Sequence, residues 1–352
     1  MRDLTDKLSY AIIRSAVEKG IRDIQADPGR GVRGLIDLGE MFAIGRFQKD
    51  FFQVAQQMVD SPDNCYYQLV DRTVRSVDKD LLVTFGMNLG YNSWTRGASL
   101  IRETEDREGF NIPWMMVLDL LPGDGSAQVL PAGEIARVLR EGRALGTYCY
   151  CFFLPEGYPA MEDLLSVLGA EPDCAFVLFL PPALADEALV QKIHRLGTIF
   201  TAVDLDADQP EETRRATRLL LEHRCLCGGF TRRADLVRAL DSVREEEAPL
   251  PFLFFLWEAS GHTPEDGGDI RVEKIREQLR VPVFPVDFYE DIAHIDRNIS
   301  SEACLITIRS DGRVAATQDG GRAAGGLNIY TTPLRDILKS TAPKRGRSTP
   351  GG

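Results

Sequence analysis

The sequence predicts an α/β protein with a helical N-terminal region, a parallel sheet of six β/α repeats and a small C-terminal β-hairpin cap. Three observations predict it. Residues 1–110 carry apolar residues at helical spacing. From residue 111, short apolar runs alternate with amphipathic stretches six times, the pattern of a parallel sheet built from β–α units. After Pro285 that repeat stops, and two short runs joined by Ser310-Asp311-Gly312 read as a hairpin.

Leu4, Leu8, Ala11, Ile12 and Ala16 give the first helix one apolar face, and Asp27-Pro28-Gly29 ends it. Phe47, Phe51, Val54, Ala55 and Met58 mark another helix, stopped near Ser61-Pro62. Asp78–Glu108 reads as helical with a break near Gly90. Trp114–Leu121 is a continuous apolar run, as expected of a strand buried on both faces. The expected units that follow are helix Ala132–Leu145, strand Tyr148–Leu154, helix Ala160–Leu168, strand Ala175–Leu180 and helix Asp186–Leu196. Then come strand Thr198–Asp204, helix Glu211–His223, strand Cys225–Phe230 and helix Ala234–Val243. Strand Phe252–Trp257 and helix Ile270–Leu279 complete the repeat. Right-handed crossovers leave an open barrel or a doubly wound sheet. Cys304–Arg309 and Arg313–Thr317 form the hairpin, and Pro333–Leu338 a closing helix. The regions expected are 1–110 helical, 111–290 β/α repeats, 291–341 hairpin and closing helix, and 342–352 disordered tail.

Composition limits the function classes. With 44% hydrophobic and 27% charged residues, the 352-residue chain reads as an ordinary globular protein. No run reaches the roughly 18 apolar residues of a membrane span. Charges interrupt the N-terminus, so it does not read as a secretory signal, and a cytoplasmic location is expected. A net charge of −12 argues against a nucleic-acid partner, which needs a basic footprint. The odd count of seven cysteines, with no C-x2-C spacing, points to free thiols rather than disulfides or a zinc ribbon.

Four segments resemble radical SAM proteins that carry a SPASM or twitch extension. Asn111-Ile112-Pro113-Trp114 leads into an apolar strand as the family's first barrel strand begins. Phe152–Pro159 lies where the family has Gly-Gly-Glu-Pro, and Trp257–Gly261 resembles the turn after the sixth strand. Cys304–Leu338 resembles a SPASM segment, with its Asp-Gly turn and closing helix. The resemblance implies a [4Fe–4S] cluster held by C-x3-C-x2-C in the loop after strand one. Here that loop is Pro122-Gly123-Asp124-Gly125-Ser126-Ala127, without a thiol. Leu154 and Pro155 stand in place of the two glycines that approach SAM, and Ala315-Ala316-Thr317 in place of a cysteine flanking the hairpin. The resemblance therefore implies a partial (β/α)6 barrel of the radical SAM type over 111–290 and a SPASM- or twitch-like extension over 291–341, without the cluster. No cofactor is expected, and radical SAM activity is not.

Candidate residues follow from the same placement. Glu156, Gly157, Asp204, Glu258 and Ser260 fall at the carboxyl ends of predicted strands, where a barrel of this kind binds its ligands. Asp204, Asp206 and Asp208 suit Mg²⁺ or substrate, or else a solvated turn with Asp208 capping the next helix. Cys149/Cys151 and Cys225/Cys227 have period-two spacing, which suits either small core residues or a soft-metal site. Arg214-Arg215 and Arg232-Arg233 suit a carboxylate clamp or ordinary surface charge. His262 lies among Glu258, Glu265 and Asp266, which reads as an acid–base group or as an acidic loop. The leading expectation is a pseudoenzyme that binds a protein or peptide partner. The alternatives are an enzyme of another class using the barrel mouth, or a protein that binds SAM without a cluster.

Overall fold

A computed structural model describes residues 4–41, 56, 65–122, 129–232, 250–256, 272–278, 283–300, 302–318, 321–323 and 326–344. The expected helices over 47–58 and 234–243, and residues 257–271 with Glu258, Ser260 and His262, lie outside them. So does most of the Pro122–Ala127 loop.

The N-terminal helices α1 (Leu4–Ala26), α2 (Pro28–Met41), α3 (Cys65–Ser76) and α4 (Lys79–Gly86) build a core of their own around Ile24, Val32, Tyr67, Val83 and Met87. Asp78 starts α4 by accepting hydrogen bonds from the backbone of Asp80 and Leu81. The break expected near Gly90 is instead an unbroken π-helix, Met87–Gly97, continuing into α5 (Ala98–Glu108). Its wider turns are fixed by buried amides. Asn88 Nδ2 donates to the carbonyls of Pro172 (2.9 Å) and Cys174 (2.7 Å), and Asn92 Nδ2 to Asn88 Oδ1 and the Asp173 carbonyl, both at 2.9 Å. These bonds hold the helical region against the segment that enters the third strand.

The strands are β1 (Met115–Asp119), β2 (Cys149–Phe153), β3 (Ala175–Leu180), β4 (Ile199–Asp204), β5 (Cys227–Thr231), β6 (Phe252–Phe255), β7 (Phe284–Asp287), β8 (Cys304–Arg309), β9 (Val314–Gln318) and β10 (Gly321–Ala323). They form one sheet in the order β10-β9-β8-β1-β2-β3-β4-β5-β6-β7. All pairings from β8 through β7 are parallel, and β8-β9 and β9-β10 are antiparallel. The order β1 to β7 never reverses, so the sheet lacks the switch point of a doubly wound fold.

Helices α6 (Ala132–Leu145), α7 (Met161–Gly169), α8 (Glu187–Leu196) and α9 (Pro210–Glu222) follow strands one to four. Tyr150 lies under α6, where its hydroxyl donates to the Leu139 carbonyl at 3.1 Å. Gly146 ends α6 at φ +112°, and a Cβ there would meet the Gly97 carbonyl at 2.8 Å, so only glycine lets α6 and the π-helix approach this closely.

Two expectations are corrected. The repeat does not stop at Pro285, because Phe284–Asp287 is a seventh parallel strand. It lies at the sheet edge, where a proline without an N–H is tolerated. The hairpin, too, is part of the main sheet, since β8 pairs in parallel with β1. Helix α11 (Phe288–Ser300), which follows α10 (Val272–Gln278) and β7, carries the chain back across. Its buried Asp296 accepts from the backbone N–H of Trp114, at the start of β1, and of Cys304, at the start of β8. One carboxylate thus sets the two strands side by side. Position 290 falls inside α11.

The chain after α12 (Leu334–Thr341) was expected to be disordered from 342, yet Ala342–Lys344 are tied down. Phe110 bridges Pro343, Asn111 N–H donates to the Ala342 carbonyl at 2.7 Å, and Lys344 Nζ lies 3.2 Å from buried Glu105. No helix among the described residues is long and apolar enough to cross a membrane.

Candidate functional site

Pairing in register sorts the strand side chains into two faces. Tyr150, with its hydroxyl on α6, marks the helix-covered face. Its register partners Met116 and Phe176 share that face. The opposite face carries Met115, Val117 and Asp119 of β1, Cys149, Cys151 and Phe153 of β2, and Val177 and Phe179 of β3. Near the strand amino ends it is closed by α4, whose Phe85 packs on Phe200 (ring centroids 6.1 Å).

Toward the carboxyl ends the same face is filled by phenyl rings. Phe153 stacks on Phe179 at 4.3 Å, and Phe230, Phe254 and Phe288 meet Phe179 edge-on at 5.3, 5.7 and 5.2 Å. Phe288, the first residue of α11, also meets Phe153 at 5.8 Å. Edge-to-face rings at these separations are an attractive, close-packed arrangement.

Charged groups rim the rings. Arg232 packs its guanidinium 4.9 Å above Phe230 and pairs with Asp204 Oδ2 at 3.0 Å. Asp204 Oδ1 accepts from the Asp206 N–H, and Asp206 in turn accepts from the Thr231 hydroxyl (2.8 Å) and the Arg232 N–H (2.7 Å). Asp119, at the end of β1, accepts from the Leu121 N–H at 3.2 Å, and burial pushes its carboxyl above the usual carboxylate range against the pull of Arg309 and Arg232. Arg309 stands in register with Asp119 at the end of β8 and is exposed.

Of the predicted residues, Asp204, Asp206 and Arg232 belong to this network. Glu156 and Gly157 form an exposed turn after β2, in which Gly157 takes φ +66°, a conformation that favours glycine. Asp208 does not cap the helix after β4, because Gln209 stands at the cap and Pro210 opens the helix. Arg215 of the other candidate clamp donates to the carbonyls of Ala185 (2.8 Å) and Pro182 (3.3 Å), a structural role. Asp119 and Arg309 were missed. The only sign of them in the sequence is a charge ending each apolar strand.

The seven cysteines are all buried, and none is joined in a disulfide. Cys149 and Cys151 share the face opposite α6, with Cys151 Sγ 3.3 Å from Met115 Sδ, while Cys225 precedes β5 rather than lying in it. Burial pushes Cys225 and Cys227 up to about 12, and Cys149, Cys151, Cys174 and Cys304 upward as well, so these groups stay thiols at neutral pH. Among the described residues no group of three or more His, Cys, Asp or Glu side chains is placed to hold a metal ion.

No family model matches the chain, and no curated protein matches it. Solved structures do. The crystal structure of Streptococcus suis SuiB bound to precursor peptide SuiA is similar with a TM-score of 0.50 at 13% identity, over 86% of this chain and 79% of that one. The form bound to S-adenosylmethionine gives 0.45 at 12% identity, over 86% and 77%. At such identity the likeness is one of fold alone.

Proposed function

We propose that the chain is a radical-SAM-like protein that works without an iron–sulfur cluster, as a partner for a protein or peptide. The observation that carries this reading is the block of rings Phe153, Phe179, Phe230, Phe254 and Phe288. In singly wound α/β proteins, ligands bind at the carboxyl ends of the strands, and here the described part of that region is packed with phenyl groups. Two further facts support it. The loop after β1 has no cysteine, and all seven cysteines are buried, with burial raising the thiols of Cys149, Cys151, Cys174, Cys225, Cys227 and Cys304, whereas cluster ligation needs thiolates. The SuiB structure of similar fold holds a precursor peptide, which favours a peptide as the class of partner. In this reading, β1 to β7 with the helices between them form the partial barrel, and β8, β9 and α12 are the remnant of a SPASM or twitch extension.

The test is anaerobic purification and treatment with iron and sulfide, followed by metal analysis and calorimetry with SAM. The expected result is no stoichiometric cluster and no SAM binding, with cross-linking recovering one specific polypeptide. A reconstituted [4Fe–4S] cluster or stoichiometric SAM binding would overturn the reading.

A further inference from the structure

The partner's chemistry can be read from the wing of the sheet beyond β1. On β8 the helix-side residues Cys304, Ile306 and Ile308 are buried, while Leu305 and Thr307 on the other face are half-buried and Arg309 is exposed. Ala315 and Thr317 of β9, in register with Thr307 and Leu305, continue this half-open strip. The strip is small and uncharged along its length and ends at Arg309.

The Arg309 guanidinium makes no hydrogen bond or ion pair among the described residues, although Asp119 stands directly opposite in the β1–β8 register. Arg232, like Arg309, acts on the Asp119 carboxyl and so supplies a second positive group near it. Its guanidinium is held by the Phe230 ring and Asp204, and its backbone N–H by Asp206, yet the side chain keeps 46% of its exposure. A guanidinium fork already fixed in place loses little freedom on binding and matches a carboxylate in shape and charge.

We propose that this face binds a peptide partner laid along Thr307, Ala315 and Thr317, with an acidic side chain of the peptide held by Arg309 beside Arg232. This inference rests on the peptide-binding reading above. Because the chain is acidic overall, at −12, the recognition acts at short range and does not steer the encounter.

The test pans a randomised peptide display library on the full chain and on Arg309→Glu and Arg309→Ala. Because Arg309 is exposed, urea unfolding of the variants should match the parent and thereby establish that they fold. Peptides selected on the parent should carry Asp or Glu at one fixed position. Arg309→Ala should weaken the best of them about tenfold or more, and Glu→Gln in that peptide should do the same. Arg309→Glu should select Lys or Arg at that position instead. Peptides that bind tightly without an acidic position, or that ignore both variants, would overturn the inference while leaving peptide binding intact. Failure to select any peptide would reject the peptide-binding reading and the inference with it.

Discussion

Truncating Phe288 to alanine tests the packed face directly. Phe288 is 2% exposed and its ring touches three others, Phe179 at 5.2 Å, Phe153 at 5.8 Å and Tyr289 at 5.1 Å. Removing a buried Phe side chain costs ~3–5 kcal/mol, as lost transfer energy plus a residual cavity. Each aromatic contact adds ~0.5–1.5 kcal/mol beyond buried area, which places this site in the upper half of that range, near ~4 kcal/mol. The assay is urea unfolding followed by circular dichroism and tryptophan fluorescence. Trp114 is a suitable reporter because its indole N–H donates to the Ile292 carbonyl of the same helix at 3.0 Å. Leu8→Ala, at a position 63% exposed on α1, is the control and should stay within about 0.5 kcal/mol of the parent. A loss below ~1 kcal/mol for Phe288→Ala would refute the reasoning. It would mean that the ring leaves the face readily and that the strand ends open to a ligand.

Two further predictions concern buried carboxyls. Glu105 accepts the Ile112 N–H at 2.8 Å, and burial raises its carboxyl to about 7, so the folded chain binds this proton more tightly than the unfolded one. Its contribution to stability is full below the ordinary carboxylate value near 4.5 and is lost as pH rises to about 7. Glu105→Gln should flatten that slope and gain roughly 1–3 kcal/mol over the parent at pH 8, measured by urea unfolding at several pH values. An unchanged slope would assign the pH dependence elsewhere. Asp296→Ala leaves the Trp114 and Cys304 N–H groups without their carboxylate acceptor, at about 1–3 kcal/mol for each buried group left unpaired. Hydrogen exchange should then accelerate in β8 and β9 well before β3. Uniform acceleration across the sheet would remove Asp296 as the local anchor of that pairing.

The alternation of strands and helices was legible because β2 and β3 are buried along their whole length and so read as unbroken apolar runs. Pro285 was misread, since a proline ends a central strand but is tolerated in an edge strand, and edge position depends on pairing rather than on sequence. The β8–β1 pairing was invisible for a similar reason. It hangs on Asp296, 182 residues from Trp114, whose charge in an amphipathic helix looks like any solvated acid. At the candidate site, Asp204 and Arg232 were singled out individually, but their pairing across β4 and β5 is a product of register. Asp119 and Arg309 looked like ordinary charged strand ends until the sheet set them opposite one another.

The β8–β1 pairing also shapes how the chain is made. As residues leave the ribosome, β1 to β7 can assemble in order, each strand joining its predecessor. The other edge of β1 stays bare throughout, an apolar template with unpaired N–H and C=O groups. Only when α11 delivers β8 is that edge covered. A strand made late in synthesis thus protects the first, and chains stopped short of residue 304 should be the aggregation-prone ones.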